Sequence, residues 1–209
     1  ALEDMVEAAN GKPVLVEKSF TGNARQAQEL ISLSNEKKVF LAEAFWTRFI
    51  PARHIVRELL ESGIIGEATS MKAVFEAPMT HIPRLTDPAL AGGALLDIGV
   101  YTLNFASMFF GDDVEKIETT CVKYKTGVDG TDDIYYTYPD GKTAHLHTSI
   151  LADSVTRNGT IFGTKGSVFV EKISNYTAIR VYDREGSLLK DCPIPPQVNG
   201  YEYEILACK

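Results

Sequence analysis

The spacing of apolar positions divides the chain into a short opening stretch, where strands alternate with helices, and a longer remainder rich in strands. Leu2, Met5, Val6 and Ala9 fall on one helical stripe, and Gly11 follows where a left-handed cap would close it. Val14-Leu15-Val16 is a continuous aliphatic run of the kind covered on both faces in a parallel sheet. Thr21-Gly22-Asn23 then starts a second helix through Ala24, Ala27, Leu30 and Ile31, and Val39-Phe40-Leu41-Ala42 predicts another short strand. Residues 1–45 therefore read as the closing units of a βαβ sheet.

Pro51 opens the best amphipathic helix, with Ala52, Ile55, Val56, Leu59 and Leu60 on one face, a charged opposite face, and Gly63 beyond its end. From Gly66 onward the texture becomes alternating, as at Ala73, Phe75 and Ala77. A proline-rich loop runs from Pro78 to Pro88, and a helix is expected at about 93–109, apolar almost all round and therefore buried. Hairpin turns are predicted at Tyr138-Pro139-Asp140-Gly141-Lys142, Glu185-Gly186 and Lys165-Gly166. About seven strands are expected after residue 66. The predicted fold class is α+β, a large, mainly antiparallel open sheet with helices on one face, occupying residues 46–209.

Composition narrows the function classes. The 21 Lys and Arg against 28 Asp and Glu give a net charge of −7. A phosphate backbone would be repelled, so no nucleic-acid partner is expected. No window holds the ~18 uninterrupted apolar residues of a spanning helix, so no membrane partner is expected either. Cys121, Cys192 and Cys208 are odd in number and far apart, which fits free thiols and a cytoplasmic location. The acidic start, Ala1-Leu2-Glu3-Asp4, carries no targeting pattern and suggests a chain that begins partway through a longer product.

Candidate chemistry concentrates in three places. Asp97 lies in the first turns of the apolar helix, and Tyr101, four residues on, shares its face. A buried carboxylate needs a cation or hydrogen-bond donors, though Asp97 could equally cap a neighbouring backbone while Tyr101 packs in the core. Glu17 and Lys18 follow the first strand, at the strand end where open α/β sheets bind ligands; alternatively they are a solvated pair. The segment Ala44-Phe45-Trp46-Thr47-Arg48-Phe49 places the only Trp at the junction of the two textures, where it either walls a pocket or seals the junction. His145 and His147 share a strand face, but no third ligand stands out in the sequence. No metal is expected, and a half-exposed face or subunit contact is favoured. The Asn158-Gly-Thr and Asn175-Tyr-Thr acceptor patterns read as chance. No GxGxxG is present, and Gly159, Gly163 and Gly166 lie between strands with the wrong spacing.

In order along the chain, Lys12-Pro-Val-Leu-Val-Glu-Lys18, Glu43-Ala-Phe-Trp-Thr-Arg-Phe-Ile-Pro51, Gly92-Gly-Ala-Leu-Leu-Asp-Ile-Gly-Val-Tyr101 and Gly163-Thr-Lys-Gly166 resemble the glucose-fructose oxidoreductase, inositol dehydrogenase and MocA family, most closely its dihydrodiol dehydrogenase branch. The resemblance implies an oxidoreductase that uses NAD or NADP and acts on a small-molecule sugar, polyol or trans-dihydrodiol. It also implies a Rossmann domain followed by an α/β domain whose open sheet forms a homodimer. Residues 1–45 would then be a Rossmann remnant without its glycine-rich loop, and 46–209 the substrate-binding and dimerisation domain, ending where members continue into a final helix. Ser19 stands where the family has Pro.

By this resemblance Lys18, Asp97 and Tyr101 form one catalytic site. Tyr101 is the expected proton donor and acceptor, and Lys18 the cation that favours its phenolate. Asp97 would orient Lys18 or the substrate hydroxyl. Glu17, Lys18, Trp46 and Arg48 are the expected cofactor contacts, and Trp46 and Phe75 the expected walls for substrate. The competing expectation is a non-catalytic dimerisation or regulatory module of the same family, which Ser19 and the missing loop would favour.

Overall fold

The computed structural model describes residues 2–209, with side chains from residue 5 onward. It comprises two compact units, one running to Trp46 and the other from Thr47 to Lys209.

The first unit is a parallel strand pair with helices. Helix α1 (Leu2–Ala9) ends at Gly11, whose φ of 76° is the left-handed conformation expected there. Strand β1 (Val14–Glu17) pairs in parallel with β2 (Leu41–Ala44) across helix α2 (Ala24–Lys37), so a βαβ unit is present. The Asn23 side chain caps α2 by accepting from Gln26 N at 3.1 Å. Val14 and Val16 bury with Ala8 and Leu30, but Leu15 is exposed. The strand is covered on one face only, so an aliphatic run did not by itself mean two covered faces. β2 also begins two residues later than its apolar run: Val39 packs against the helical core while Phe40 is exposed.

The second unit is built on a nine-stranded sheet. Its strands are β3 (Ala68–Pro78), β4 (Lys116–Lys123), β5 (Asp129–Thr137), β6 (Thr143–Ser149), β7 (Leu151–Thr156), β8 (Gly159–Gly163), β9 (Gly166–Glu171), β10 (Ala178–Asp183) and β11 (Leu188–Cys192). The spatial order is β11-β10-β9-β8-β3-β6-β5-β4, with β7 also pairing β3. All neighbours are antiparallel except β3 with β6. The sheet has more strands than the seven expected, and polar β4 explains part of the difference: every residue of it is exposed, so it offers no hydrophobic alternation to detect. The three predicted hairpins join β5 to β6, β8 to β9 and β10 to β11, with positive φ at Gly141 and Gly186.

Alternation decides the faces. Met71, Ala73, Phe75 and Ala77 of β3 are buried with Ile134, Leu146 and Ile161 on one side. Helix α5 (Val100–Phe110) packs over β3 and β6 on that side. Gly159 of β8 makes the close approach possible, since a Cβ there would collide with the Phe105 ring. Helix α3 (Ala52–Glu61) buries Ala52, Val56 and Leu59, as its stripe predicts.

Two expectations about the apolar helix change. It opens with a π-helical turn, Leu95–Gly99, instead of regular α-helix. It is also not buried all round: Thr102, Phe105, Ala106 and Met108 are buried, while Leu103, Phe109 and Phe110 are only half-buried. Although Asp97 interrupts it, Pro88–Phe110 is long and apolar enough to cross a membrane by length and composition. Composition therefore does not exclude a span, contrary to the expectation drawn from uninterrupted apolar runs. Residues Tyr201–Ala207 form helix α6.

Candidate active site

In the second unit, the start of the apolar helix is pinned by a carboxylate from a neighbouring strand. Asp129 Oδ2 accepts from Leu95 N at 2.6 Å, supplying the acceptor that a helix start lacks. Gly93, at φ 128°, leaves room for that carboxylate, because a Cβ would overlap it. Gly99 lets the same turn settle against Thr148 of β6.

This turn carries Asp97, whose side chain is 11% exposed and pairs with Arg84 Nη2 at 3.0 Å. Arg84 comes from the short helix α4 (Pro83–Thr86) in the proline-rich loop. The cation that burial of Asp97 demands is thus supplied in part by a residue the sequence did not single out. Tyr101 packs against the cluster of Phe75, Leu85, Ala94, Ile98 and Ile150. Its ring lies 5.5 Å from that of Phe75, inclined by 40°, and the Arg157 guanidinium sits 4.9 Å from the Phe75 ring centre. Asp97, Tyr101 and Phe75 therefore belong to one neighbourhood, with Arg84 and Arg157 as its cations.

In the first unit, the parallel register pairs Glu17 with Ala44. Glu17, Lys18 and Trp46 consequently leave the strand pair at its carboxyl end. Glu43 Oε1 accepts from Phe20 N at 2.9 Å, tying the loop after β1 to β2. Lys18 N donates to Glu17 Oε2 at 3.2 Å, and the Lys18–Ser19 peptide bond is cis. Trp46 begins a single 3-10 turn, Trp46–Arg48.

Arg48 is held by α5. Its Nε donates to Asn104 Oδ1 and its Nη2 to Ser107 Oγ, both at 2.6 Å. Those contacts fix Arg48 on the helix, and they line a groove of about 380 Å³ with Tyr136 and Ile117. A larger hollow of about 670 Å³, lined by Leu60, Phe109, Phe110 and Lys142, contains none of the expected site residues.

Two further clusters went unseen in the sequence. On the helix-covered face, Asp132 lies near Asp129 and Cys121; burial pushes its carboxyl up to about 6, while the thiol of Cys121, on the exposed strand β4, is raised by slight desolvation and by the Asp132 carboxylate beside it. On the opposite face, Asp133 joins His145 and His147, supplying the third potential ligand that seemed to be missing. The signal was there in principle: the β5–β6 hairpin places Asp133 directly opposite His147.

The sequence profile of the GFO/IDH/MocA C-terminal domain matches residues 54–169. The chain belongs to the GFO/IDH/MocA family. Among relatives of this family, a trans-1,2-dihydrobenzene-1,2-diol dehydrogenase of Mus musculus is 36% identical over 199 residues, covering 95% of this chain and 58% of that protein. The enzyme of the same name from Homo sapiens is 39% identical over 165 residues, covering 78% of this chain and 49% of its own length. The chain thus spans about half the length of these GFO/IDH/MocA relatives. Among solved structures, KijD10, a 3-ketoreductase from Actinomadura kijaniata in complex with NADP and TDP-benzene, superposes with a TM-score of 0.88 at 25% identity, over 99% of this chain and 65% of that one.

Proposed function

We propose that the protein carrying this chain is an NAD(P)-dependent oxidoreductase that moves a hydride between the cofactor and a carbinol carbon of a sugar, polyol or trans-dihydrodiol. The observation that carries this reading is the likeness along 95% of the chain to an enzyme named as a dihydrodiol dehydrogenase. The groups at the carboxyl end of β1 and β2 fit the nicotinamide half of such a cofactor, with Glu17, Lys18 and Trp46 as its contacts and Arg48 as a further candidate. The backbone amides that would hold its pyrophosphate are not assigned to this chain, which has no glycine-rich loop. NAD(P), when bound, accepts or returns the hydride.

The chain's own residues handle the proton. Tyr101 Oη takes the alcohol proton during oxidation and gives it back during reduction. A free tyrosine titrates near ~10, so the role requires a cation at the phenol in the working enzyme, and Lys18 is assigned to it. Asp97, held by Arg84, orients Lys18 or the substrate hydroxyl, and Phe75 fixes the plane of the Tyr101 ring. Phe75 and Trp46 are assigned as apolar walls for the substrate. The intact protein is proposed to be a cytoplasmic homodimer joined through the open face of the sheet.

Tyr101→Phe in the intact protein removes only the hydroxyl. The change is expected to lower kcat by about two to four orders of magnitude with KM little altered. Lys18→Met should cost a similar factor, and the double variant little more, because the two act as a unit. An unaffected rate in Tyr101→Phe would leave Tyr101 a packing residue and remove the mechanism.

A further inference from the structure

We propose that Asp133, His145 and His147 form a binding site for a divalent first-row transition metal, with Zn²⁺ the best-matched ion, on the sheet face opposite α5. The three residues come from adjacent strands: β5 supplies Asp133, and β6 supplies both histidines two residues apart on one face. Asp133 Oδ1 lies 2.6 Å from His145 Nε2 and 2.9 Å from His147 Nδ1. All three donor atoms fall within 4.8 Å of one another. Ligands of a tetrahedral Zn²⁺ at about 2.0–2.1 Å are separated by somewhat more than these hydrogen-bond distances, so only a small opening of side-chain rotamers is needed. Two imidazoles and one carboxylate are a recurrent three-protein-ligand set that leaves a fourth position for water.

The surroundings resemble a supported metal site more than a chance surface cluster. Glu76 of β3 reaches the far nitrogen of His147, Nε2, at 3.4 Å. A carboxylate behind the non-ligating nitrogen fixes the tautomer that frees Nδ1 to bind metal, and raises its basicity. Tyr135 stacks on His145 with ring centres 4.5 Å apart and planes within 8°, holding the second imidazole in place. The Asp133 carboxylate lies within hydrogen-bond distance of both imidazoles, so all three donor groups already converge on one point.

Charge balance favours the ion. His147 is flanked by two carboxylates, Asp133 at Nδ1 and Glu76 at Nε2. A divalent ion bound at Nδ1 would place positive charge between these carboxylates while Nε2–H stays directed at Glu76. His145 retains its proton by moving it to Nδ1. Lys72, paired with His145 in the β3–β6 register, is the nearby cation on β3.

The test is titration of the chelator-treated protein with Zn²⁺ alone by calorimetry, and with Co²⁺ alone by visible absorption, which reports tetrahedral ligation. One ion per chain is expected, with His145→Ala and His147→Ala each weakening it about a hundredfold or more, and Glu76→Gln weakening it about ten- to hundredfold without abolishing it. Circular dichroism confirms that each variant is folded, and His147→Gln serves where the alanine variant is not. Absence of Zn²⁺ binding by the folded parent, or an unchanged affinity in the folded histidine variants, would overturn the assignment.

Discussion

Replacing Asp132 with Asn isolates the effect of one buried carboxylate on stability. Asp132 is 7% exposed, and its Oδ2 has no hydrogen-bond partner among the described residues. It lies on the helix-covered face, paired in register with Thr148. Burial first, and then the Asp129 and Asp133 charges, raise its pKa from 3.8 to about 6, against the opposing hydrogen bond of Cys121. Because the folded value lies above the unfolded one, the native state binds more protons between the two values, and stability falls as pH rises through that window. Above about 6 the penalty is complete. The shift of about two units corresponds to an upper figure on the order of 3 kcal/mol, of which about 2 kcal/mol develops between about pH 4.5 and about pH 7.5. Asn keeps the shape, never ionises, and can donate its amide to Asp129. Urea unfolding of both proteins at these two pH values should show Asp132→Asn more stable at the higher pH, with its advantage shrinking by about 2 kcal/mol at the lower one. An advantage that is the same at both pH values would mean that Asp132 does not carry the raised pKa, and would refute the reasoning.

Other perturbations follow from the same geometry. Gly159→Ala pushes a methyl into the Phe105 ring and should destabilise by about 1–3 kcal/mol, read as a lower urea midpoint with unchanged slope. Arg84→Met removes a cation from Asp97 at a largely exposed position, so stability should change by less than about 1 kcal/mol while kcat/KM falls by up to about a hundredfold. Arg48→Met breaks two hydrogen bonds from a charged group to α5 and should cost about 2–3 kcal/mol in thermal unfolding; a loss of cofactor affinity without loss of stability would instead favour a binding role.

Much of the fold was legible because each element obeys a local rule. The cap at Gly11, the stripe of α3, the alternation of β3 and the Asp140-Gly141 turn are each decided within a few residues, by backbone sterics or by a period matched to one buried face. Where the pattern was silent the count of strands fell short: β4 has no buried side chain and is a strand only because β5 supplies its hydrogen bonds. The π-helical turn at Leu95–Gly99 was likewise invisible, since it is held by Asp129, a residue 34 positions away from Leu95 in sequence.

The site shows the same division. Asp97 and Tyr101 stand four residues apart on an apolar segment, and that proximity is a property of the chain alone. Arg84 beside Asp97, Arg157 over Phe75, and Asp133 between His145 and His147 are consequences of strand order and register, which bring together side chains that no local spacing links. The amino-acid sequence by itself determined which segments could be helix, strand or turn, and which family they resemble, because those depend on local sterics and periodicity. Only the tertiary structure decided which charges face one another, because side-chain pairing across a sheet is set by long-range register, and a single-residue slip would have sent Asp133 to the opposite face from His147.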